Sequence, residues 1–246
     1  MQKTRLKWIW FDLDDTLHDF GVASKKAMAD VFGLLSSETG LPLTEVQQNY
    51  REALQRQSVF EFADGRTSHE YRSERFLGAI GQTAPGDEFT RGLIEEALSN
   101  YEKNYMESLQ LKPFALKTLQ ALKEEGFSLA ILTDAPEDAQ DRVIKKLGIE
   151  AYFDSIFTSG GMRASKRTGL YSKVIERLDV QQEQVVMIGN SQASDVVPAL
   201  AAGIEAIWFN DIKASNEKAY REIQSLDALV GELSRIAGSE ENGATD

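Results

Sequence analysis

The chain is 246 residues long, 42% hydrophobic and 27% charged, with a net charge of −12 at pH 7. That length can bury a sizeable core, as one large domain or as a core with a smaller companion. The acidity argues against nucleic acid or an anionic membrane surface as partner. A phosphorylated substrate stays open, because a divalent cation reverses the local sign. The sequence has no cysteine, so disulfides, thiolate zinc sites and cysteine nucleophiles are excluded. No run approaches the ~20 apolar residues that span a bilayer, and the start shows no signal-peptide pattern. The cytoplasm is the expected compartment.

The first predicted strand covers residues 6 to 12, within Trp8-Ile-Trp-Phe-Asp-Leu-Asp-Asp-Thr-Leu17. This short apolar run ends in three carboxylates and a hydroxyl. Strand alternation puts Asp12 and Asp14 on one face, with Asp15 turned away. From residue 19 to residue 109 the period is helical: Val22, Ala23, Met28, Val31, Phe32 and Leu35 recur at helix spacing. A second helix is predicted from Glu45 with Thr44 as cap, a third over Ser68 to Ile80 with Ser68 as cap, and a fourth over Asp87 to Leu109. Strand patterning is absent from this stretch, which predicts an all-helical insert.

Pro113 to Gly126 then reads as a helix, and Phe127 to Leu132 as a strand ending in Thr133-Asp134. Helix is predicted at Glu137 to Leu147, strand at Phe153 to Phe157, helix at Tyr171 to Leu178, and strand at Gln184 to Ile188 ending in Gly189-Asn-Ser191. Helix over Ser194 to Ala202, strand over Ile204 to Phe209 and helix over Leu226 to Ile236 complete the series. Alternation of this kind implies a doubly wound, mostly parallel sheet with helices on both faces. The expected division is an α/β core of residues 1–18 and 110–238, a helical cap of residues 19–109, and a flexible tail at 239–246. The strand ends meet along one edge, where such sheets bind ligands.

Oxygen ligands from Asp12, Asp14, Asn190 and Asp195 suit a hard cation, Mg²⁺ above all. A carboxylate is a known covalent nucleophile for phosphoryl groups. A second carboxyl two residues on has the reach for general acid–base work. Phe11-Asp-Leu-Asp-Asp-Thr-Leu17 resembles the first motif of the haloacid dehalogenase-like hydrolase superfamily, Asp-x-Asp-x-Thr. Thr133 is similar to that family's second motif, Lys166 to its third-motif lysine, and Gly189-Asn-Ser-Gln-Ala-Ser-Asp195 to its fourth motif. The insert is similar to the family's helical cap.

The resemblance implies a Rossmann-like core, Asp12 as nucleophile and Asp14 as acid–base with its main-chain carbonyl on the metal. It also implies Thr133 and Lys166 on the phosphoryl oxygens, and Asp195 at the metal. Candidate phosphate contacts are Thr16, Thr133, Asp134 and Lys166, with Lys173 and Arg167 as alternatives to Lys166. Phe60, Phe62, Arg66 and Arg72 are candidates for a substrate face of the cap, although each phenylalanine taken singly reads first as bundle core. Two positions depart from the family pattern. Asn190 stands where an aspartate is usual, and Ser165-Lys-Arg-Thr-Gly-Leu170 lacks the prolines that usually follow the lysine. The expected activity is a Mg²⁺-dependent phosphatase acting on a small phosphorylated metabolite, as a monomer or homodimer. A 2-haloacid dehalogenase and a non-catalytic binding relative are the alternatives.

Overall fold

A computed structural model describes residues 6–57, 62–84, 86–215, 217 and 220–242. Its centre is β1, Trp8–Phe11. Ile9, Trp10 and Phe11 are fully buried, because strands cover both edges of β1 and helices cover both faces. The strand is shorter than the predicted 6 to 12, although the Asp12 amide still donates to the Ile188 carbonyl at 2.8 Å.

The chain next forms four helices: α1 (Phe20–Thr39), α2 (Leu43–Gln57), α3 (Ser68–Ala79) and α4 (Glu88–Ser108). Helix α1 packs on α4 and α2 on α3. Ala23, Ala27, Val31 and Leu35, each four residues apart, bury one stripe of α1 against Leu93, Ile94 and Ala97 of α4. Val22 is exposed, outside that stripe. Thr67, not Ser68, caps α3: its hydroxyl accepts from the Glu70 amide, and the Glu70 carboxylate accepts from the Thr67 amide. Ser68 is thereby free to reach the core. Its amide and hydroxyl donate to Asp138 at 2.8 and 2.6 Å. The chain enters and leaves these helices through adjacent backbone, since the Asp19 amide bonds the Gln110 carbonyl and the Lys112 amide bonds the Leu17 carbonyl.

The remaining elements are α5 (Ala115–Glu124), β2 (Ser128–Thr133), α6 (Glu137–Leu147), β3 (Ser155–Thr158), α7 (Ser159–Met162), α8 (Leu170–Leu178), β4 (Val185–Gly189), α9 (Val197–Ala201), β5 (Glu205–Phe209), β6 (Glu222–Ile223) and α10 (Leu229–Asn242). The strands form one sheet in the order β3-β2-β1-β4-β5-β6, every pairing parallel. Alternation splits the core. Ile9 and Phe11 join Ile131, Ile188 and the helices α5, α6 and α10. Trp10 joins Leu132, Met187 and the helices α8 and α9.

Three departures from the sequence reading have local causes. The helix expected over Ser194 to Ala202 begins as a wide turn at Gln192–Val196, with the Ser191 hydroxyl accepting from the Ser194 amide. Strand β6 and helix α7 are too short to leave a periodic signal. Helix α10 runs on to Asn242 through part of the expected tail, where glutamates favour helix. Residues 243–246 of that tail, and Phe60, lie outside the described residues.

Candidate active site

The strand order reverses at β1. The chain winds outward through β2 and β3, then returns to β4 on the other side. Such a switch point opens a crevice at the carboxyl ends of the strands. Register brings those ends level, with Phe11 opposite both Ile131 and Ile188 and Thr133 opposite Thr158. Asp12 and Asp14 from β1, Thr133 and Asp134 from β2, Asn190 and Asp195 beyond β4, and Lys166 line one cavity of about 170 Å³.

Lys166 is buried at the start of a 3-10 turn, Lys166–Thr168. The Ser165 and Thr168 side chains close that turn reciprocally. The Lys166 Nζ donates to Asp12 Oδ1 at 2.5 Å and to Asp195 Oδ1 at 2.6 Å. Burial pulls its ammonium pKa down, but the flanking Asp12 and Asp195 outweigh that and hold it well above the ordinary lysine value. Lys173, one alternative, donates instead to the Met162 carbonyl.

Asp12 is buried, and burial pushes its carboxyl up to about 7. Lys166 pulls it down, while Asp195 and Asp14 push it further up. The second Asp12 oxygen accepts from the Thr16 hydroxyl at 2.9 Å. That hydroxyl in turn accepts from the Asn190 amide at 3.0 Å. Thr16 is therefore not an open phosphate contact, as the sequence suggested. It is fully buried and ties β1 to β4.

Asp195 bonds both the lysine and its own loop. Its Oδ1 holds Lys166 and its Oδ2 accepts from the Ser191 amide at 2.9 Å. Asp195 is only 1% exposed and stands behind the lysine. Asp134 turns its carboxylate onto the Lys166 amide, 3.0 Å away, which fixes the lysine loop. A carboxylate there repels an anion and is a poor phosphate contact. Asp14 Oδ1 bonds His18 Nε2 at 2.8 Å, and its Oδ2 accepts from Gln140 Nε2 at 3.1 Å. Gln140 also donates to the Thr133 hydroxyl at 3.2 Å. Asp15 turns away and takes the Gly21 amide at the head of α1.

Gln140 escaped the sequence reading. The one available signal for Gln140 was its place in the first turn of the helix that follows β2. Gly189 is required by Asp195: a Cβ there would lie 2.3 Å from the Asp195 carboxyl carbon. Gly189→Ala is expected to destabilise the protein by about 1–3 kcal/mol through overpacking. Thermal unfolding checks it, and an unchanged midpoint would mean the Asp195 carboxylate is free to move.

An α/β core with an acidic, lysine-bearing crevice at its switch point defines the class as a doubly wound α/β protein with a candidate active site at the carboxyl ends of its strands. The chain belongs to the haloacid dehalogenase-like hydrolase family, whose sequence profile matches residues 9–209. It is 28% identical to a glyceraldehyde 3-phosphate phosphatase of Methanothermobacter thermautotrophicus, over 92% of this chain and 95% of that one. A 2-haloacid dehalogenase from Pseudomonas syringae shares the fold, with TM-score 0.73, 23% identity and coverage of 94% and 99%. The Bacillus subtilis hydrolase YfnB bound to magnesium is similar at TM-score 0.71 and 25% identity, covering 94% and 99%.

Proposed function

We propose that this chain is a Mg²⁺-dependent phosphatase that hydrolyses a small phosphorylated metabolite through a phosphoryl group carried on Asp12. The observation that carries the reading is the setting of Asp12. It sits at the carboxyl end of the central strand, held between Lys166 Nζ and the Thr16 hydroxyl, in the same cavity as Asp14. Similarity to a phosphatase over nearly the whole chain supports it.

An Asp12 oxygen attacks phosphorus in line as the bond to the leaving oxygen breaks. Asp14 gives that oxygen its proton. Asp14 then takes a proton from water, whose oxygen displaces Asp12 and releases phosphate. Lys166 and the Thr133 hydroxyl bind the phosphoryl oxygens, and Asp195 positions Lys166. His18 and Gln140 hold the Asp14 carboxylate between those two proton transfers.

The donor set fits a hard cation: Asp12, Asp14 and Asn190 can each offer a side-chain oxygen, in a pocket where burial raises the Asp12 carboxyl and Asp195 and Asp14 add to it against the pull of Lys166. Bound there, Mg²⁺ would neutralise charge on the transferring group. The four-helix segment, residues 19–109, is read as the cap that closes over the crevice. Loss of halide needs no proton, so in a dehalogenase Asp14 would keep only the water-activating half of its task.

A panel of phosphate esters tests the reading. Turnover of 4-nitrophenyl phosphate is expected with Mg²⁺ and lost with chelator. Protons compete with the cation for Asp12, so apparent Mg²⁺ affinity should fall as pH drops through about 7. Chloride release from a 2-haloacid without metal would establish the dehalogenase instead. A folded protein inert to the whole panel would establish a binding role.

A further inference from the structure

A second cavity, of about 420 Å³, lies between the helical segment and the β2–α6 loop with helix α6. Asp14 and Gln140 line it, so it abuts the proposed reaction site, and Arg72, Arg75 and Tyr50 line it as well. That volume suits a small organic ligand. The two arginines are one helical turn apart on α3 and share a face.

Their charges are poorly compensated. Arg72 Nη1 lies 3.6 Å from Glu102, but Glu102 is shared with Arg142, whose Nε is closer at 2.7 Å. The Arg72 guanidinium also lies over the Tyr101 ring, 4.4 Å from its centroid. Arg75 donates to the Gln57 amide oxygen and bonds the Tyr50 hydroxyl, both neutral partners. Glu74 reaches Arg75 only through Gln57. Among the described residues no carboxylate lies within ion-pair distance of Arg75. Burial lowers its pKa, and neighbouring Arg72 adds to that. A guanidinium stays charged at any working pH. A half-buried cation with only neutral partners is unfavourable until an anion arrives. Gln140 adds a buried oxygen, Oε1, with no partner among the described residues; it can accept from a substrate hydroxyl.

We propose that Arg75, with Arg72 beside it, binds a second anionic group of the substrate, a carboxylate or a second phosphate, when the first phosphate is at Asp12. The substrate class is then a hydroxylated phosphate ester carrying two anionic ends. Guanidinium forks match both anions in bidentate geometry. The inference rests on the phosphatase reading above.

The test uses the whole enzyme with Mg²⁺, and 4-nitrophenyl phosphate as the measure of basal chemistry. The carboxylate arm compares 3-phosphoglycerate with glyceraldehyde 3-phosphate, and 6-phosphogluconate with glucose 6-phosphate. The phosphate arm compares fructose 1,6-bisphosphate with fructose 6-phosphate. In at least one arm kcat/KM should favour the partner with the second anionic group by about tenfold or more, the worth of one charge-assisted contact. Arg75→Gln should bring that ratio close to one, mainly through KM, and Arg75→Lys should restore part of it.

Ratios near one in every arm, or no turnover of any pair by an enzyme that hydrolyses 4-nitrophenyl phosphate, would overturn the proposal. So would a ratio that Arg75→Gln leaves unchanged. If Arg75→Gln does not fold, Arg72→Gln and the wild-type ratios decide. Failure to hydrolyse any phosphate ester would instead defeat the phosphatase reading. Calorimetry with 3-phosphoglycerate and fructose 1,6-bisphosphate would then decide the anion site: binding of either, lost in Arg75→Gln, supports it, and no binding overturns it.

Discussion

Asp12→Asn is expected to reduce phosphatase turnover by ~10⁴-fold or more, which is about 5.5 kcal/mol of barrier, and to leave the protein folded. No neighbouring carboxylate can take over the attack. Asp195 is only 1% exposed and lies behind Lys166, whose Nζ donates to its Oδ1. Asp14 is held by His18 and Gln140. Residual turnover above about 1% would exclude Asp12 as nucleophile, given what deleting a covalent nucleophile costs.

Stability should move the other way. The Asp12 carboxyl is raised in the folded state, from 3.8 to about 7, chiefly by burial. The folded protein therefore binds more protons than the unfolded chain in that window, and stability falls as pH rises through it. A neutral amide removes this dependence. Relative to wild type, the metal-free variant should gain in melting temperature between pH 5 and pH 8. A relative loss over that range would mean that the ion pair with Lys166 outweighs burial.

Much of this crevice was legible because its chemistry sits at the ends of apolar runs. A strand hydrophobic enough to be buried, closing on Asp12 and Asp14, marks the sheet edge without any knowledge of the fold. Thr133 and Asn190 follow by the same logic from β2 and β4. Lys166 was harder. It lies on an irregular loop, and only the turn closed by Ser165 and Thr168 carries its amine to Asp12. Gln140 had only its place in the first turn of α6 as a signature, and Arg75 had none. Arg75 lines the second cavity because α3 packs against α6. Thr16 was misread for a related reason. A hydroxyl next to carboxylates suggests a ligand contact, but whether it is open depends on β4, 174 residues away along the chain. Partners set by tertiary packing, not by spacing, are the ones that a single sequence leaves hidden.

Lys166→Met separates structure from chemistry. The variant leaves Asp12 and Asp195 buried, facing each other with no cation between them. Removing one member of a buried ionic cluster is expected to destabilise by about 3–5 kcal/mol, and turnover should vanish with the phosphate contact. The carboxylates can escape the repulsion only by binding a proton, so their folded pKa values rise further above the unfolded ones. The deficit should then be largest at pH 8 and shrink toward pH 5. Adding Asp195→Asn removes one buried charge and should recover a large part of the stability, but none of the turnover. Urea unfolding of the wild type, both single variants and the double variant at each pH yields the coupling energy directly. A deficit that ignores pH, and that Asp195→Asn does not relieve, would mean that Lys166 acts through the packing of its aliphatic stem. The two carboxylates would then be held apart by the crevice without it.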